Sequence, residues 1–199
     1  MEQIEINKTI KLSEHYTLGE MTKTSTGMMN IPSRVSIENM KRVCGWLEAL
    51  RCRYNQRYVL GGSSSSPKLG EDRRGLNERQ VSPSSDHPAH PGTPPDSGGE
   101  KDTEEPIIIS SGYRSPEVNR KVGGSATSNH LTGCAVDIRV YGIEQALRYA
   151  VILIDYADET RQDYDELLIE RNRSGRYWVH FAVRPPKSQN RRKTAMLSV

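Results

Sequence analysis

The stretch Ser128-Asn129-His130-Leu131-Thr132-Gly133-Cys134-Ala135-Val136-Asp137, taken together with His180 far downstream, decides how this chain is read. Asp137 lies in Ala135-Val136-Asp137-Ile138-Arg139-Val140, which alternates like a half-buried strand. Val136, Ile138 and Val140 form its core face, and Asp137 points the other way. Cys134 falls on the core parity and takes no part in chemistry. His180 lies in a second alternating run, Tyr177-Trp178-Val179-His180-Phe181-Ala182-Val183, whose odd positions make the core face. Two strands thus offer an Asp and a His on their non-core faces, and a loop offers His130. Gly133, between His130 and Asp137, permits a sharp turn or a close backbone approach. Two imidazoles and a carboxylate are a normal zinc set, and three protein ligands leave a position open for water. By residue type alone, hydrogen bonding among these groups and a metal site both stand open.

Around this centre the chain orders simply. Ser33 or Ser36 caps a helix in which Ile37, Met40, Val43, Cys44, Leu47 and Leu50 recur at helical spacing, running to about Tyr54. Before it, residues 1–32 read as an irregular lead-in with a short strand near Ile4–Leu12; His15 there is a surface or hydrogen-bonded group. Pro106-Ile107-Ile108-Ile109-Ser110 reads as a buried strand. Ser115-Pro116-Glu117 starts a helix that Gly123-Gly124 ends. Ile143, Ala146, Leu147, Ala150, Leu153, Ile154 and Ala157 mark an amphipathic helix. Leu167-Leu168-Ile169-Glu170 is a further strand, joined through the turn Asn172–Arg176 to the His180 strand. The expected fold is α+β: a small, mainly antiparallel sheet from strands near 106–110, 135–140, 167–170 and 177–183, with helices packed on one side.

Residues 62–105 break the pattern. They are rich in Ser, Pro and Gly, hold no aromatic residue, and have only Leu69, Leu76, Val81 and Ala89 as aliphatics. Such a segment buries too little apolar surface to offset its ordering entropy and reads as a disordered insertion in one domain spanning 1–199. His87 and His90 within it read as linker residues. From Pro185 onward the tail is polar and basic, and solvation is its plain reading.

A net charge of +3 is too small to argue for nucleic acid, and no apolar run reaches the length of a membrane span. No basic, apolar signal peptide is visible at Met1-Glu2-Gln3-Ile4-Glu5, so synthesis in the cytoplasm is expected. Cys44 and Cys52 stand about 12 Å apart on one helix at 1.5 Å per residue, too far to bridge. Reduced thiols are expected.

At the central stretch the chain resembles the zinc D-alanyl-D-alanine carboxypeptidases, peptidoglycan metallopeptidases that share a fold with the hedgehog signalling domain. Ser128, His130, Gly133, Ala135 and Asp137 match the signature Ser-x-His-x-x-Gly-x-Ala-x-Asp. Ser111-Gly112-Tyr113-Arg114-Ser115 and Trp178-Val179-His180 look like two further blocks, in the same order. The likeness spans roughly residues 106–183 and, more weakly, 16–54. It implies a zinc ion on His130, Asp137 and His180, and hydrolysis of a peptide bond in a peptidoglycan stem peptide, next to a D-amino acid. It implies Glu170 as general base and Arg114 as the grip on a substrate carboxylate. Asp163, Asp165 and Glu166 are rival carboxylates, but they precede the strand and read as surface residues. Tyr113, Ser128 and Trp178 fall to the substrate pocket. Some family members carry a His where Trp178 stands, which leaves oxyanion stabilisation to zinc, Arg114 or Tyr113. A monomeric bacterial or phage-type peptidase acting on the cell wall after release is the leading expectation. The alternative is a non-catalytic zinc domain that binds stem peptides or a protein partner.

Overall fold

The computed structural model describes residues 7–60 and 104–199. The elements run α1 (Leu18–Met21), α2 (Arg34–Tyr54) with a π-helical extension Asn55–Val59, β1 (Ile109–Ser111), α3 (Pro116–Lys121), a 3-10 turn Asn129–Thr132, β2 (Ala135–Arg139), α4 (Ile143–Thr160), β3 (Glu166–Arg171), β4 (Tyr177–Ala182) and β5 (Lys193–Ser198). The five strands form one sheet in the order β1-β2-β4-β3-β5. All neighbouring pairs are antiparallel except β3 and β5, which are parallel. The α+β reading holds, with the sheet mixed rather than wholly antiparallel.

Each helix starts as its sequence dictates. Ser33 accepts from the Ser36 amide at the head of α2, and Ser115 accepts from Val118 ahead of Pro116 at the head of α3. The apolar stripe of α2 (Met40, Val43, Cys44, Leu47 and Leu50) is fully buried. It faces α4 and the sheet side that carries Val136, Ile138, Leu167, Ile169, Val179 and Phe181. Aromatic rings lock this layer together: Trp46 lies 5.2 Å from Phe181, and Tyr54 meets Tyr149 edge-on at 4.9 Å. The opposite sheet face carries Asp137, His180, Glu166 and Glu170 together with Leu168, Ala135 and Ala182.

Three expectations shift. The first strand begins at Ile109 rather than Pro106, and a bulge between Ile109 and Ser111 re-aims its end. Over the described part of 4–12 no strand forms, only a single bridge between Lys11 and Thr17. The tail is not merely solvated: β5 lies along β3, and Arg191, Arg192 and Lys193 all pair with carboxylates. Its side chains alternate between exposed and half-exposed. No apolar periodicity therefore marks it as a strand.

The insertion expected at 62–105 lies outside the described residues but for its last two. Glu105 is tied in, its amide donating to Asn55 Oδ1 at 2.6 Å and its carboxylate accepting from Gln145 at 2.9 Å. Cys44, Cys52 and Cys134 are free thiols, as expected, and Cys134 is buried. His15 meets Glu48 at 2.7 Å, in line with a hydrogen-bonded group. Among the described residues no helix is long and apolar enough to cross a membrane.

Leu47 has no exposed surface and sits at the centre of the α2 stripe. Leu47→Ala should lower stability by about 2–5 kcal/mol, the usual cost of a lost core side chain and its cavity. Equilibrium denaturation by urea checks this.

Candidate metal centre

Strand register assembles the site. Across the non-core face, Ser111 pairs with Asp137, Asp137 with His180, and His180 with Leu168. The next row pairs Arg139 with Trp178 and Trp178 with Glu170. Residues opposite one another share a face, so Asp137, His180, Trp178 and Glu170 all project to the same side.

His130 reaches this face from the 3-10 turn. Ser128 caps that turn by accepting from the His130 amide, so its hydroxyl shapes the loop. Gly133 ends the turn at φ 72°, and a Cβ there would stand 2.5 Å from the Ser36 carbonyl oxygen. Only glycine fits both conditions. The Gly112–Arg114 strap then clamps His130 twice: the Gly112 carbonyl accepts from Nδ1 at 2.6 Å, and the Arg114 amide donates to the His130 carbonyl at 3.1 Å. A Cβ on Gly112 would meet the Met21 carbonyl oxygen at 2.3 Å, so glycine is again required. Asn30 fastens the strap from below, donating to the Thr22 and Tyr113 carbonyls and accepting from the Ser115 amide.

Because a carbonyl only accepts, His130 Nδ1 carries a proton and Nε2 is left as the donor atom of the neutral ring. Nε2 lies 3.2 Å from Asp137 Oδ1, and His180 Nδ1 lies 2.8 Å from the same oxygen. One donor atom from each of His130, Asp137 and His180 lies within 4.8 Å of the others. All three side chains are buried or nearly so. The outer nitrogen of each imidazole faces an acceptor, Gly112 for His130 and Glu166 Oε2, at 3.7 Å, for His180. Metal-bound histidines are held in this way. The donor set thus fits a zinc ion, and three protein ligands leave one position of a tetrahedral set unfilled by protein.

Arg114 and two carboxylates complete the surroundings. Arg114 Nη2 donates to Asp137 Oδ2 at 2.5 Å and Nε to Ser111 Oγ at 2.9 Å. Burial opposes the charge on Asp137, yet the flanking His130 and His180 hold its carboxyl well below the ordinary range. His180 is likewise opposed by burial, but the hydrogen bond to Asp137 and the nearby Glu166 carboxylate push its pKa up to about 9.

The carboxylates of β3 divide sharply. Burial raises the Glu170 pKa, with Asp137 adding to the rise and His180 and the Trp178 hydrogen bond acting against it. Its Oε2 accepts from Trp178 Nε1 at 2.6 Å. Glu166 goes the other way: its contact with His180, together with Arg191 and Lys193, holds it down at about 2. Asp165 and Glu166 are not surface residues. Asp165 is wholly buried, and Glu166 is mostly so, beside His180. Their alternation was readable, since Glu166 shares parity with Leu168 and Glu170. The basic partners that make burial tolerable lie in the tail and were not. Tyr113 is buried and its hydroxyl donates to the Ile31 carbonyl at 3.2 Å, so that hydroxyl is engaged outside the donor cluster. His87 and His90 lie outside the described residues.

Residues 100–158 match the family model Peptidase M15. The match supports the M15 zinc peptidases, and it does not distinguish the D-alanyl-D-alanine carboxypeptidase subtype. The M15 span carries Arg114, His130 and Asp137. It ends before Glu166, Glu170, Trp178 and His180, which reach the centre through the sheet. No curated protein matches the chain.

If the three donors hold the metal, His130→Ala should abolish stoichiometric zinc, while His87→Ala and His90→Ala should retain it. Mass spectrometry of the native proteins reads the zinc content. Zinc that survives His130→Ala but is lost with His87 or His90 would place the ion elsewhere.

Proposed function

We propose that the chain is a zinc peptidase that hydrolyses a peptide bond in peptidoglycan stem peptides, next to a D-amino acid. The observation that carries this reading is the split between two carboxylates on one face of β3. Glu170, raised by burial, is suited to accept a proton; Glu166, held ionised by His180 and Arg191, is suited to hold a ligand. The substrate class follows the family resemblance at residues 111–115, 128–137 and 178–180, and the M15 match adds support for peptidase chemistry.

Zinc held by His130, Asp137 and His180 would supply a water of lowered pKa and polarise the scissile carbonyl. Glu170 acts as general base, taking a proton on the carboxylate and later returning it to the leaving amine. Trp178 fixes that carboxylate through Oε2 and leaves Oε1 for proton transfer. Arg114 engages Asp137 and Ser111 through Nη2 and Nε, while Nη1 makes no hydrogen bond among the described residues. That remaining edge of the fork is offered to a substrate carboxylate or to charge developing on the carbonyl oxygen. Ser128 acts through the His130 turn, and Trp178 also walls the cleft. A non-catalytic zinc domain remains the second reading, because Trp178 cannot supply the charged donor that a His there would.

Glu170→Gln keeps the shape and the indole hydrogen bond while removing the base. It should retain zinc and fold but lose about 10²-fold or more in turnover, the scale of a positioned base. Defined muropeptides, incubated with and without chelator and read by product mass, make the measurement. Equal cleavage by the variant would move the base elsewhere. Zinc-loaded wild-type protein that binds muropeptides without cutting them would favour the binding domain.

A further inference from the structure

The most heavily hydrogen-bonded carboxylate in the described fold is not a metal donor. Asp165 has no exposed surface. Its Oδ1 forms an ion pair with Arg184 Nε at 2.8 Å and accepts from Arg191 Nε at 2.9 Å and from the Arg191 amide at 3.1 Å. Its Oδ2 accepts from Arg191 Nη2 at 2.7 Å and from Asn129 Nδ2 at 2.9 Å. Isolated, such a buried charge would cost several kcal/mol, and the two guanidiniums and the amide offset this.

Two of these partners lead to the metal donors. Asn129 is the residue before His130, and its Nδ2 also reaches Glu166 Oε2 at 3.1 Å. That same Glu166 oxygen lies 3.7 Å from His180 Nε2. Arg191 spans both carboxylates, since its Nη2 also lies 3.1 Å from Glu166 Oε1. Of these two carboxylates, Arg184 pairs with Asp165 alone. One guanidinium from the C-terminal segment therefore holds the two acceptors on which Asn129 and His180 rest.

We propose that Arg191 is a positioning residue for the metal centre: by fixing Asp165 and Glu166 it sets the His130 turn through Asn129 and the ring of His180 through Glu166. The proposal rests on the metal-centre reading above. It makes the C-terminal segment part of the centre, though that segment supplies no donor atom. The Arg191 backbone shares the task. Its amide binds Asp165, and two residues later the Lys193 amide donates to the Asp165 carbonyl as β5 begins its pairing with β3. Without Arg191, Glu166 would face His180 with only the more distant Lys193, at 3.5 Å, as a neighbouring cation on its other oxygen. Asn129 would then bind a Glu166 stripped of that guanidinium and an Asp165 held only by Arg184 and the backbone amide at 191.

Zinc affinity by chelator competition on the full chain tests this without any assay of turnover. Outer partners of metal-bound histidines typically contribute 10–100-fold in metal affinity. Arg191→Met should therefore weaken zinc binding by about 10-fold or more, with an unchanged far-ultraviolet circular dichroism spectrum, and Arg191→Lys should recover part of the loss. Arg192→Met removes a neighbouring charge that pairs with Asp158 and Asp163, away from the centre, and should leave zinc affinity unchanged. Asn129→Ala should weaken zinc in the same direction as Arg191→Met. The double variant should lose less than the sum, because both act through Asp165 and Glu166. If Arg191→Met does not fold, Asn129→Ala decides by itself. Wild-type zinc affinity in Arg191→Met or Asn129→Ala, or an equal loss in Arg192→Met, overturns the positioning role alone. A wild-type protein that binds no zinc overturns the metal-centre reading, and this inference with it.

Discussion

The structure depends on one buried carboxylate. Asp137 sits in the middle strand of the β1-β2-β4 group, with His130 and His180 on one oxygen and Arg114 on the other. A charge in that position is tolerated only with partners on every side, and each partner arrives from a different element. His180 comes by strand pairing, His130 by a capped turn, and Arg114 by a strap that passes under Met21. The glycines at 112 and 133 stand where the backbones that deliver these groups come too close for a side chain. The helices contribute indirectly. By burying the other sheet face, α2 and α4 leave this one to polar chemistry.

Environment, more than residue type, separates the two glutamates of β3. Glu166 and Glu170 share a strand and a face, and both lie near His180. Glu166 looks toward the C-terminal arginine and the outer nitrogen of His180, so its charge is strongly favoured. Glu170 is buried against the Trp178 indole with Asp137 nearby, so its protonated form gains ground.

Much of this was legible in the sequence. Period-two alternation around Asp137 and His180 placed both on a non-core face, and the observed register put them opposite one another. Caps at Ser33 and Ser115 placed α2 and α3, and helical periodicity placed α4. These features are local, since spacing and parity follow from backbone geometry over a few residues. The family likeness marks Arg114 and Glu170 in the sequence, though not the neighbours that surround them.

Other parts depended on contacts between distant residues. Asp165 and Glu166 read as surface acids because the arginine that binds both, Arg191, lies in a basic tail with no apolar period. The parallel β5 went unseen for the same reason: a half-exposed edge strand has no burial pattern to leave in the sequence. Tyr113 looked available to a substrate until the fold directed its hydroxyl to the Ile31 carbonyl. The sequence by itself determined the kinds of donor, their spacing and the face each would take, because strands and turns impose those locally. Only the tertiary structure decided which charges are buried together, and so which carboxylate is raised, which is held down, and which distant arginine holds them in place. Burial and pairing exist only once remote segments meet.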